Sequence, residues 1–366
     1  MCVLGMFVLL LLTSTTKAHE SEHDSSVFDV TKAEYGAKPG SDITFALAKA
    51  WNDSCASPSA SKVVVPIGTY KLRGASFRGP CKAPIELQVA EPLMAKEHLL
   101  GVVITAAVNL RFSFVTNSTI QDVSSLNSKS FHIHVFRCLN VTFQHVHITA
   151  PGDSKNTDGI HIGKSTGINI THTNIGTGDD SVSIGDGSNQ ITMTNVTCGP
   201  GHGISIVSLG RYNNEEFLAG IRVKNCTLTN TQNGVRIKTW PNSPLVTTAS
   251  DIHFEDIIMV NVGNPIVIDQ LYCPYRKCDN LPPSKVKISD VSFKNIKGSS
   301  ATALALKIVC SSGSRCENVE LTDIDLTYNG AKGTLTSQCL NVKQTISGLI
   351  RALACATSIV MPPPLI

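Results

Sequence analysis

The chain has 366 residues, of which 42% are apolar, 16% are charged and only 5% are aromatic. A net charge of +3 without any lysine or arginine run argues against a nucleic-acid-binding protein. The apolar content is sufficient for a large core. The abundance of Val, Ile, Thr, Asn and Gly favours strands and tight turns over helices.

Residues 1–18 have the pattern of a secretory signal peptide. An apolar stretch precedes Thr16, Lys17 and Ala18, which form a suitable cleavage site. This stretch is too short to span a bilayer, so we expect a secreted protein without a membrane segment. Six Asn-X-Ser/Thr sequons agree with secretion and predict a glycoprotein; they begin at Asn52, Asn117, Asn140, Asn169, Asn195 and Asn225.

The number of cysteines also favours a secreted protein. Eleven of the twelve cysteines follow residue 18, and in a secreted chain they are candidates for disulfide bonds. Zinc binding is disfavoured because no Cys-X-X-Cys pair occurs. The spacing suggests four disulfide bonds, namely Cys55–Cys81, Cys273–Cys278, Cys310–Cys316 and Cys339–Cys355.

After a polar N-terminus and a first short strand near Phe28, one helix is predicted. Ser41 and Asp42 form its expected N-cap. One face of this helix is apolar, through Ile43, Leu47, Ala50 and Trp51. We expect the helix to cap the open end of a solenoid, with Trp51 as the plug.

Strands are predicted at residues 63–67, 68–70 and 85–89, whereas residues 91–110 interrupt the pattern. From Phe112 to about residue 328, apolar–polar–apolar triplets recur at 133–135, 141–143, 168–170, 191–193, 221–223, 252–254, 286–288 and 319–321. Spacings of about 23 to 34 residues are typical of a solenoid. The sequence therefore predicts an all-β fold, a right-handed parallel β-helix with a short N-terminal capping helix. Residues 19–345 form one domain in this prediction, and residues 346–366 form a divergent tail.

Four segments at the centre of the chain share one pattern, and their letters are DGIHIG (158–163), DSVSIG (180–185), HGISIV (202–207) and NGVRIK (233–238). The first residues Asp158, Asp180 and His202 follow one another at intervals of 22 residues. If each segment is one rung, these residues stack about 5 Å apart on neighbouring rungs.

This stacking would create a carboxylate cluster of Asp158, Asp179 and Asp180. Residues 176–178 (Gly-Thr-Gly) provide the turn that lets Asp179 and Asp180 reach one site. Crowded carboxylates raise at least one pKa, which leaves a protonated acid beside ionised groups. Glycoside hydrolysis requires this pairing, and room for a water molecule between the two groups favours inversion. His202, one rung further, can hold the protonation state of an aspartate.

Arg236 and Lys238 lie two residues apart on one strand, so their side chains share a face opposite Val235 and Ile237. Adjacent cations require an anion, and a sugar carboxylate is a suitable partner. Calcium is the alternative ligand for an aspartate cluster. The neighbouring cations disfavour it.

At these residues the sequence resembles the polygalacturonases, glycoside hydrolase family 28. The matching motifs are NTD (156–158), GDD (178–180), GHG (201–203) and RIK (236–238), in the order of the family. The resemblance covers residues 26–90 and 110–345 and is strongest to plant, pollen-type exopolygalacturonases. It implies a monomeric cell-wall enzyme without metal or cofactor. It also implies inverting hydrolysis of α-1,4 linkages in polygalacturonate, with exo action favoured over endo action.

The resemblance also implies roles for eight residues. Asp179 is the general acid, Asp158 and Asp180 activate the water, His202 supports the acid, and Asn156, Arg236, Lys238 and Tyr272 bind the substrate.

The chain departs from the family pattern in four places. Residues 91–110 stand where the family has a longer segment, and the sequence after Ser347 differs. Ser181 replaces a cysteine, which would leave Cys198 unpaired, and Val207 replaces a glycine. Two alternatives follow: a weak or inactive pectin-binding homologue that lacks one rung, or a product of a transcript that skips an exon. Pectate lyases are disfavoured by the motif order.

Overall fold

A computed structural model describes residues 25–68, 70–89, 102–104, 108–274, 278, 281–328, 330–331 and 333–350, with the backbone alone at 102–104. The predicted signal peptide, most of the interruption at 91–110, and Cys355 lie outside these residues. Within the described part of the chain, no helix has the length and apolar content needed to cross a membrane.

One helix, α1 (Thr44–Ala56), occurs among the described residues. The predicted apolar face is confirmed, because Leu47, Ala50 and Trp51 are buried. The predicted N-cap is wrong, since Ile43 occupies that position. The Asp42 carboxylate instead accepts hydrogen bonds from the backbone N–H and the hydroxyl of Thr44, at 2.9 and 2.6 Å.

The remaining elements are strands. In the first half of the chain they are β1 (Ser26–Asp29), β2 (Ser61–Val65), β3 (Tyr70–Leu72), β4 (Ala75–Arg78), β5 (Ile85–Val89), β6 (Val102–Ile104), β7 (Leu110–Ser113), β8 (Thr116–Gln121), β9 (Ser124–Leu126), β10 (Ile133–Phe136), β11 (Leu139–Gln144), β12 (His147–Thr149), β13 (Ile160–Gly163) and β14 (Thr166–Gly176). In the second half they are β15 (Val182–Ile184), β16 (Asn189–Cys198), β17 (Ile204–Leu209), β18 (Leu218–Thr229), β19 (Asn233–Thr239), β20 (Thr248–Val262), β21 (Asn264–Asp269), β22 (Lys287–Ser300), β23 (Leu304–Val309), β24 (Cys316–Thr327), β25 (Thr336–Leu340) and β26 (Val342–Ile350).

The strands form a right-handed parallel β-helix, so the predicted fold class is confirmed. One long sheet runs β1-β2-β5-β8-β11-β14-β16-β18-β20-β22-β24-β26, and a second runs β4-β7-β10-β13-β15-β17-β19-β21-β23-β25. Every paired strand is parallel to its neighbour, for example β13 to β15 and β15 to β17. Alternating Ile, Val, Leu and Phe side chains fill one continuous core between the sheets.

The N-terminal end of this core is closed by aromatic packing. Trp51 of α1 is 1% exposed, and its ring lies 4.8 Å from the ring of Phe77. Phe77 stacks on Phe112 at 4.8 Å, and Phe112 contacts Phe143 edge-on at 5.5 Å. The residue predicted to plug the solenoid therefore begins a column of aromatic rings that crosses several rungs.

Both long sheets continue across the region where the sequence pattern is interrupted. Strand β5 pairs directly with β8, and β4 pairs with β7 along its whole length from Ala75 to Arg78. The sheet edges that a missing rung would expose are therefore paired with the next rung. This closure removes one reason to expect an inactive homologue.

Three of the predicted disulfide bonds are present, namely Cys55–Cys81, Cys273–Cys278 and Cys310–Cys316. Cys339 is also disulfide-bonded. Among the described residues Cys138, Cys198 and Cys226 are free and buried. The single domain over 19–345 and its tail stay predictions, although β26 extends the pairing as far as Ile350.

Candidate active site

The four repeated segments lie on neighbouring rungs of the second sheet, in the predicted register. Ile160 pairs with Val182, Val182 with Ile204, and Ile204 with Val235. The backbone N–H of Gly159 donates to the carbonyl of Asp180, so Asp158 and Asp180 lie at the same height. The interval of 22 residues is therefore one full turn of the solenoid.

Asp180 is the most enclosed of the three carboxylates, with 3% of its side chain exposed. Its Oδ1 accepts hydrogen bonds from Ser205 Oγ at 2.7 Å and Arg236 Nη2 at 2.8 Å. Its Oδ2 accepts one from Lys238 Nζ at 3.0 Å. Burial alone would raise the pKa of Asp180, but Arg236 and Lys238, helped by Ser205, hold that pKa below its ordinary value. Asp180 therefore stays ionised.

Asp158 shows the opposite behaviour. Burial, followed by the charges of Asp180 and Asp179, raises the pKa of Asp158 to about 7. The hydroxyl of Ser183 donates to Asp158 Oδ2 at 2.6 Å. Asp158 is thus the carboxyl that carries a proton near neutral pH, as expected for one member of a crowded cluster.

Asp179 faces the solvent more than its neighbours, with 23% of its side chain exposed. The chain bends at Gly178 and Asp179, directly after β14, which separates the directions of the two adjacent aspartates. Asp179 Oδ1 accepts the backbone N–H of Asp180 at 2.8 Å and lies 2.9 Å from His202 Nδ1. The second oxygen, Oδ2, is left available for a substrate.

The remaining predicted residues lie at different distances from this cluster. The ring of Tyr272 lies 5.1 Å from Lys238 Nζ and 5.6 Å from the ring of Trp240, so it borders the site. Asn156 lies in an exposed turn and makes no hydrogen bond to another described residue. The structure therefore gathers seven of the eight predicted residues, whereas Asn156 lies in an exposed turn two residues before Asp158.

Sequence reasoning missed three residues that support the carboxylates. Ser205 binds both Asp180 and Arg236, the latter by a 3.1 Å bond from Nε. Ser183 Oγ, which donates to Asp158, lies 2.8 Å from His161 Nδ1, and that nitrogen therefore donates to the serine. Each of them stands between two apolar residues of the repeat, so the strand alternation itself was the signal.

Ser183, Ser205 and His161 belong to a column of six side chains along the outer face of the second sheet, which we call the middle column. In rung order it consists of Arg111, His134, His161, Ser183, Ser205 and Arg236. The carboxylate cluster lies beside its central members.

Asp179, Asp180 and His202 bring their potential ligand atoms within 4.8 Å of one another, a spacing that a metal ion could bridge. However, Asp180 already binds two cationic side chains and a hydroxyl. These cations oppose a positive ion at the same carboxylate. The donor set is therefore poorly suited to calcium.

Ser181 and Val207 are two positions where the sequence departs from the family pattern. Ser181 is fully buried, and its hydroxyl lies near the thiol of the free Cys198. Val207 is half-buried in β17, where the pairing with β19 shifts between Ile206 and Leu209. That shift gives the larger side chain room outside the regular ladder.

Comparison with known proteins agrees with this geometry. The family model described as "Glycosyl hydrolases family 28" matches residues 104–348. A polygalacturonase of Medicago sativa is 50% identical, covering 88% of this chain and 87% of that protein. An exopolygalacturonase of Platanus acerifolia is 45% identical, covering 92% and 99%. Among solved structures, a hyperthermoactive exopolygalacturonase from Thermotoga maritima superposes with a TM-score of 0.66 at 15% identity, covering 90% of this chain and 91% of its own.

Proposed function

The chain belongs to the glycosyl hydrolases of family 28, and from this premise we propose that it is a polygalacturonase. It hydrolyses α-1,4-galacturonosyl linkages in polygalacturonate, the acidic backbone of pectin. The observation that carries this proposal is one solvent-facing carboxyl, Asp179, beside an enclosed carboxylate, Asp180, that two cations keep ionised. An acid and a base in one groove are what glycoside hydrolysis requires.

Asp179 acts as the general acid. Its Oδ1 accepts bonds from the Asp180 backbone and from His202, so the transferable proton is carried on Oδ2. From there it passes to the glycosidic oxygen as the bond breaks. His202 orients the acid and does not itself contact the bond that is cleaved.

Asp180 acts as the base that takes a proton from the attacking water. Its Oδ2 accepts one hydrogen bond, from Lys238, and so has capacity for a water molecule. Asp158, protonated below about pH 7, holds the same water by a hydrogen bond. Attack from the side opposite the leaving group inverts the anomeric centre.

Arg236 and Lys238 bind the carboxylate of the galacturonate residue. Arg236 uses Nε and Nη2 for Ser205 and Asp180, and Lys238 uses one donor for Asp180. Both keep further N–H groups for a second anion. Tyr272 contacts the sugar from the side of Lys238, and Asn156 contacts it from the rim.

We further propose that the protein is a secreted, monomeric, glycosylated cell-wall enzyme that needs no metal or cofactor. Its relatives include proteins named polygalacturonase and others named exopolygalacturonase. We favour exo action, with removal of single residues from the chain end.

The decisive experiment measures reducing ends released from polygalacturonate by the purified protein and by its Asp179→Asn variant. We expect activity in the first and a loss of at least about a hundredfold in the second, since an acid catalyst contributes about 10²–10⁴-fold. Equal rates would reject the proposal.

Three further measurements test the finer statements. Proton NMR of the first turnovers should show the β-anomer of the product. Chromatography should show monogalacturonate from the start, whereas a ladder of oligomers would indicate endo action. Expression of the full chain in plant cells should give extracellular protein that begins at His19.

A further inference from the structure

A fully buried cluster of polar side chains lies where β19, β21 and β23 end, and we call it the polar corner. It consists of Thr239, Gln270, Ser284 and Ser311. The three strands are neighbours in the second sheet, so the polar corner spans three rungs. Polar atoms in a core are costly unless they are paired. The pairing of these four residues therefore indicates what the cluster holds in place.

Gln270 is the centre of the polar corner. Its Nε2 donates to the backbone carbonyl of Val286 at 2.9 Å and lies 3.5 Å from Thr239 Oγ1. Its Oε1 accepts the backbone N–H of Ser311 at 3.0 Å. Only a side chain that both donates and accepts satisfies these two backbone groups, and an amide does so without a charge. One side chain thus ties three rungs together.

The bond to Val286 closes the base of the connection between β21 and β22. Gln270 is the first residue of this connection and Val286 is the last. Ser284 reinforces the closure, because its hydroxyl oxygen lies 3.0 Å from Thr239 Oγ1 and its carbonyl accepts Ser311 Oγ at 2.7 Å. The connection is therefore anchored at both ends from inside the protein.

Tyr272 and the side chains that it contacts begin at the same corner. Tyr272 follows Gln270 by two residues, whereas Lys238 and Trp240 flank Thr239 directly. The Tyr272 ring lies 5.1 Å from Lys238 Nζ and 5.6 Å from the Trp240 ring. The polar corner therefore sets the spacing between the two segments that carry these side chains.

We propose, resting on the proposed function, that Gln270 is a positioning residue for substrate binding. It holds Tyr272 against Lys238, where the galacturonate residue is bound. Gln270 is fully buried and touches no substrate itself. Without its hydrogen bonds the backbone before Tyr272 loses its anchor, and binding must order the ring at the cost of affinity. Asp180 keeps its own ion pairs, so catalysis by the bound enzyme is affected less.

The first test compares Gln270→Met with the matched control Asn109→Leu. Methionine has a similar length but lacks the amide, and we expect KM for trigalacturonate to rise about tenfold with kcat within about threefold. Asn109 is another fully buried amide, bonded to Ser125 Oγ at 2.9 Å just before β7. Its replacement should lower the denaturation midpoint but keep KM. An equal rise of KM in both variants would show general destabilisation and overturn the proposal.

Two further substitutions at Gln270 keep the proposal open to refutation if the methionine variant does not fold. Gln270→Asn is one methylene too short to reach both Val286 and Ser311, so the same rise of KM is expected. Gln270→Glu is the conservative variant, since a buried carboxyl is protonated at pH 4.5 and then both donates and accepts. Its KM at that pH should lie within about twofold of the wild type. A tenfold higher KM there would contradict the role of the two hydrogen bonds.

A binding cycle tests whether Gln270 acts through Tyr272. Calorimetric titration of trigalacturonate into Asp179→Asn should show about tenfold weaker binding when Gln270→Met is added. In the presence of Tyr272→Ala, Gln270→Met should change the affinity by less than about twofold. Equal weakening in both backgrounds would reject the proposed route.

The outcomes separate this inference from the proposed function. If the wild type is active and the Gln270 variants keep its KM, the positioning role is rejected and the proposed function stands. If the wild type releases no sugar but trigalacturonate binding follows the cycle, the proposed function fails and the positioning role stands. Absence of both activity and binding rejects both.

Discussion

Asp180 has 3% of its side chain exposed, yet it is charged because Arg236 and Lys238 contact it within 3.0 Å. Such a buried triad contributes little net stability when intact, but removing one partner leaves an uncompensated charge. The charge pairing of Asp180 with Arg236 and Lys238 therefore links the stability of the fold to the integrity of the carboxylate cluster. A variant that weakens the pairing should lose both stability and activity.

For Asp180→Asn we expect a loss of about 3–5 kcal/mol in the free energy of unfolding, together with loss of activity, because Arg236 and Lys238 then lack a carboxylate partner. In the double variant Asp180→Asn/Lys238→Met, part of the stability should return because one of the two uncompensated cations is gone. Denaturant unfolding of the four proteins in the cycle measures this. Additive losses would contradict the coupling.

Asp158 predicts a pH dependence of the opposite sign to that of an ordinary aspartate. Its pKa is raised to about 7 in the folded protein, against an ordinary value of 3.8, so the folded state binds the proton more tightly. Stability from this group is present below about pH 4 and is lost as pH rises to 7. Asp158→Asn removes that loss.

We therefore expect the free energy of unfolding of Asp158→Asn to rise relative to that of the wild type as the pH increases from 4 to 7. The increase in this difference should be on the order of 2–4 kcal/mol. Buried histidines such as His132 titrate with the opposite trend, since burial lowers the pKa of His132 to about 4. The informative quantity is accordingly the difference between the two unfolding curves at each pH. A difference that does not vary with pH would contradict the raised pKa.

Sequence reasoning identified the residues whose chemistry is unusual and missed those that support them. Asp158, Asp180 and His202 were predictable because an interval of 22 residues repeats. Ser183 and Ser205 look like ordinary polar positions of a strand, and their importance depends on which atoms meet across rungs. The sequence did not predict that Arg236 and Lys238 pair with Asp180 before any substrate binds, because this pairing depends on the three-dimensional positions of the side chains.

At the scale of elements, the strands with clear alternation were predicted well. Strand β5 was predicted over its observed length, whereas β4, with only four residues, was missed. Short strands of a solenoid carry too few apolar positions to be recognised alone, and they form because the neighbouring rung presents a partner. Asp42 misled the prediction of the helix start because its carboxylate bonds to the first residue of the helix.

No disulfide bond among the described residues crosslinks the bend between β14 and β15, and a single substitution at Ser181 can introduce one. Ser181 is fully buried, its hydroxyl oxygen has no hydrogen-bond partner of good geometry, and the free thiol of Cys198 lies nearby. Burial, with a lesser contribution from Cys226, raises the pKa of Cys198 to about 12, so the thiol is uncharged in the native protein. A second thiol at position 181 would place two sulfur atoms within reach of each other.

We expect Ser181→Cys, purified under oxidising conditions, to form a disulfide bond with Cys198 and to gain about 2–4 kcal/mol in stability. The gain should disappear in reductant, and Ser181→Ala should not reproduce it. Peptide mapping of the non-reduced protein identifies the bond. Recovery of both residues as free thiols would show that the bend does not permit the geometry.

For the molecule as a whole, stability is distributed over rungs that contact only their neighbours. The N-terminal end depends on Trp51, which seals the core and begins the column of aromatic rings. Damage there should unfold the first rungs before it reaches the carboxylate cluster. Local and global stability are therefore separable in this protein.

Trp51→Ala should lower the free energy of unfolding by about 3–5 kcal/mol. It should also make the N-terminal rungs the first to be cleaved by protease. The matched control is Phe45→Ala on the same helix, where the side chain is 79% exposed and little change is expected. Mass spectrometry of early proteolytic fragments locates the opening. First cleavage between β15 and β19 would contradict the order of unfolding.

The direct pairing of β5 with β8 has a consequence for how this architecture tolerates changes of length. Strand residues alternate between the core and the surface, so a shift of one residue in any ladder inverts every later side chain. The ladders downstream of β8 nevertheless keep Ile133, Ile160, Val182 and Ile204 in one line. The chain between these strands can thus lengthen or shorten by whole turns without disturbing the phase. The carboxylate cluster, several turns away, is insulated from such changes of length. The ends of the solenoid can therefore vary while the positions of the cluster residues stay the same.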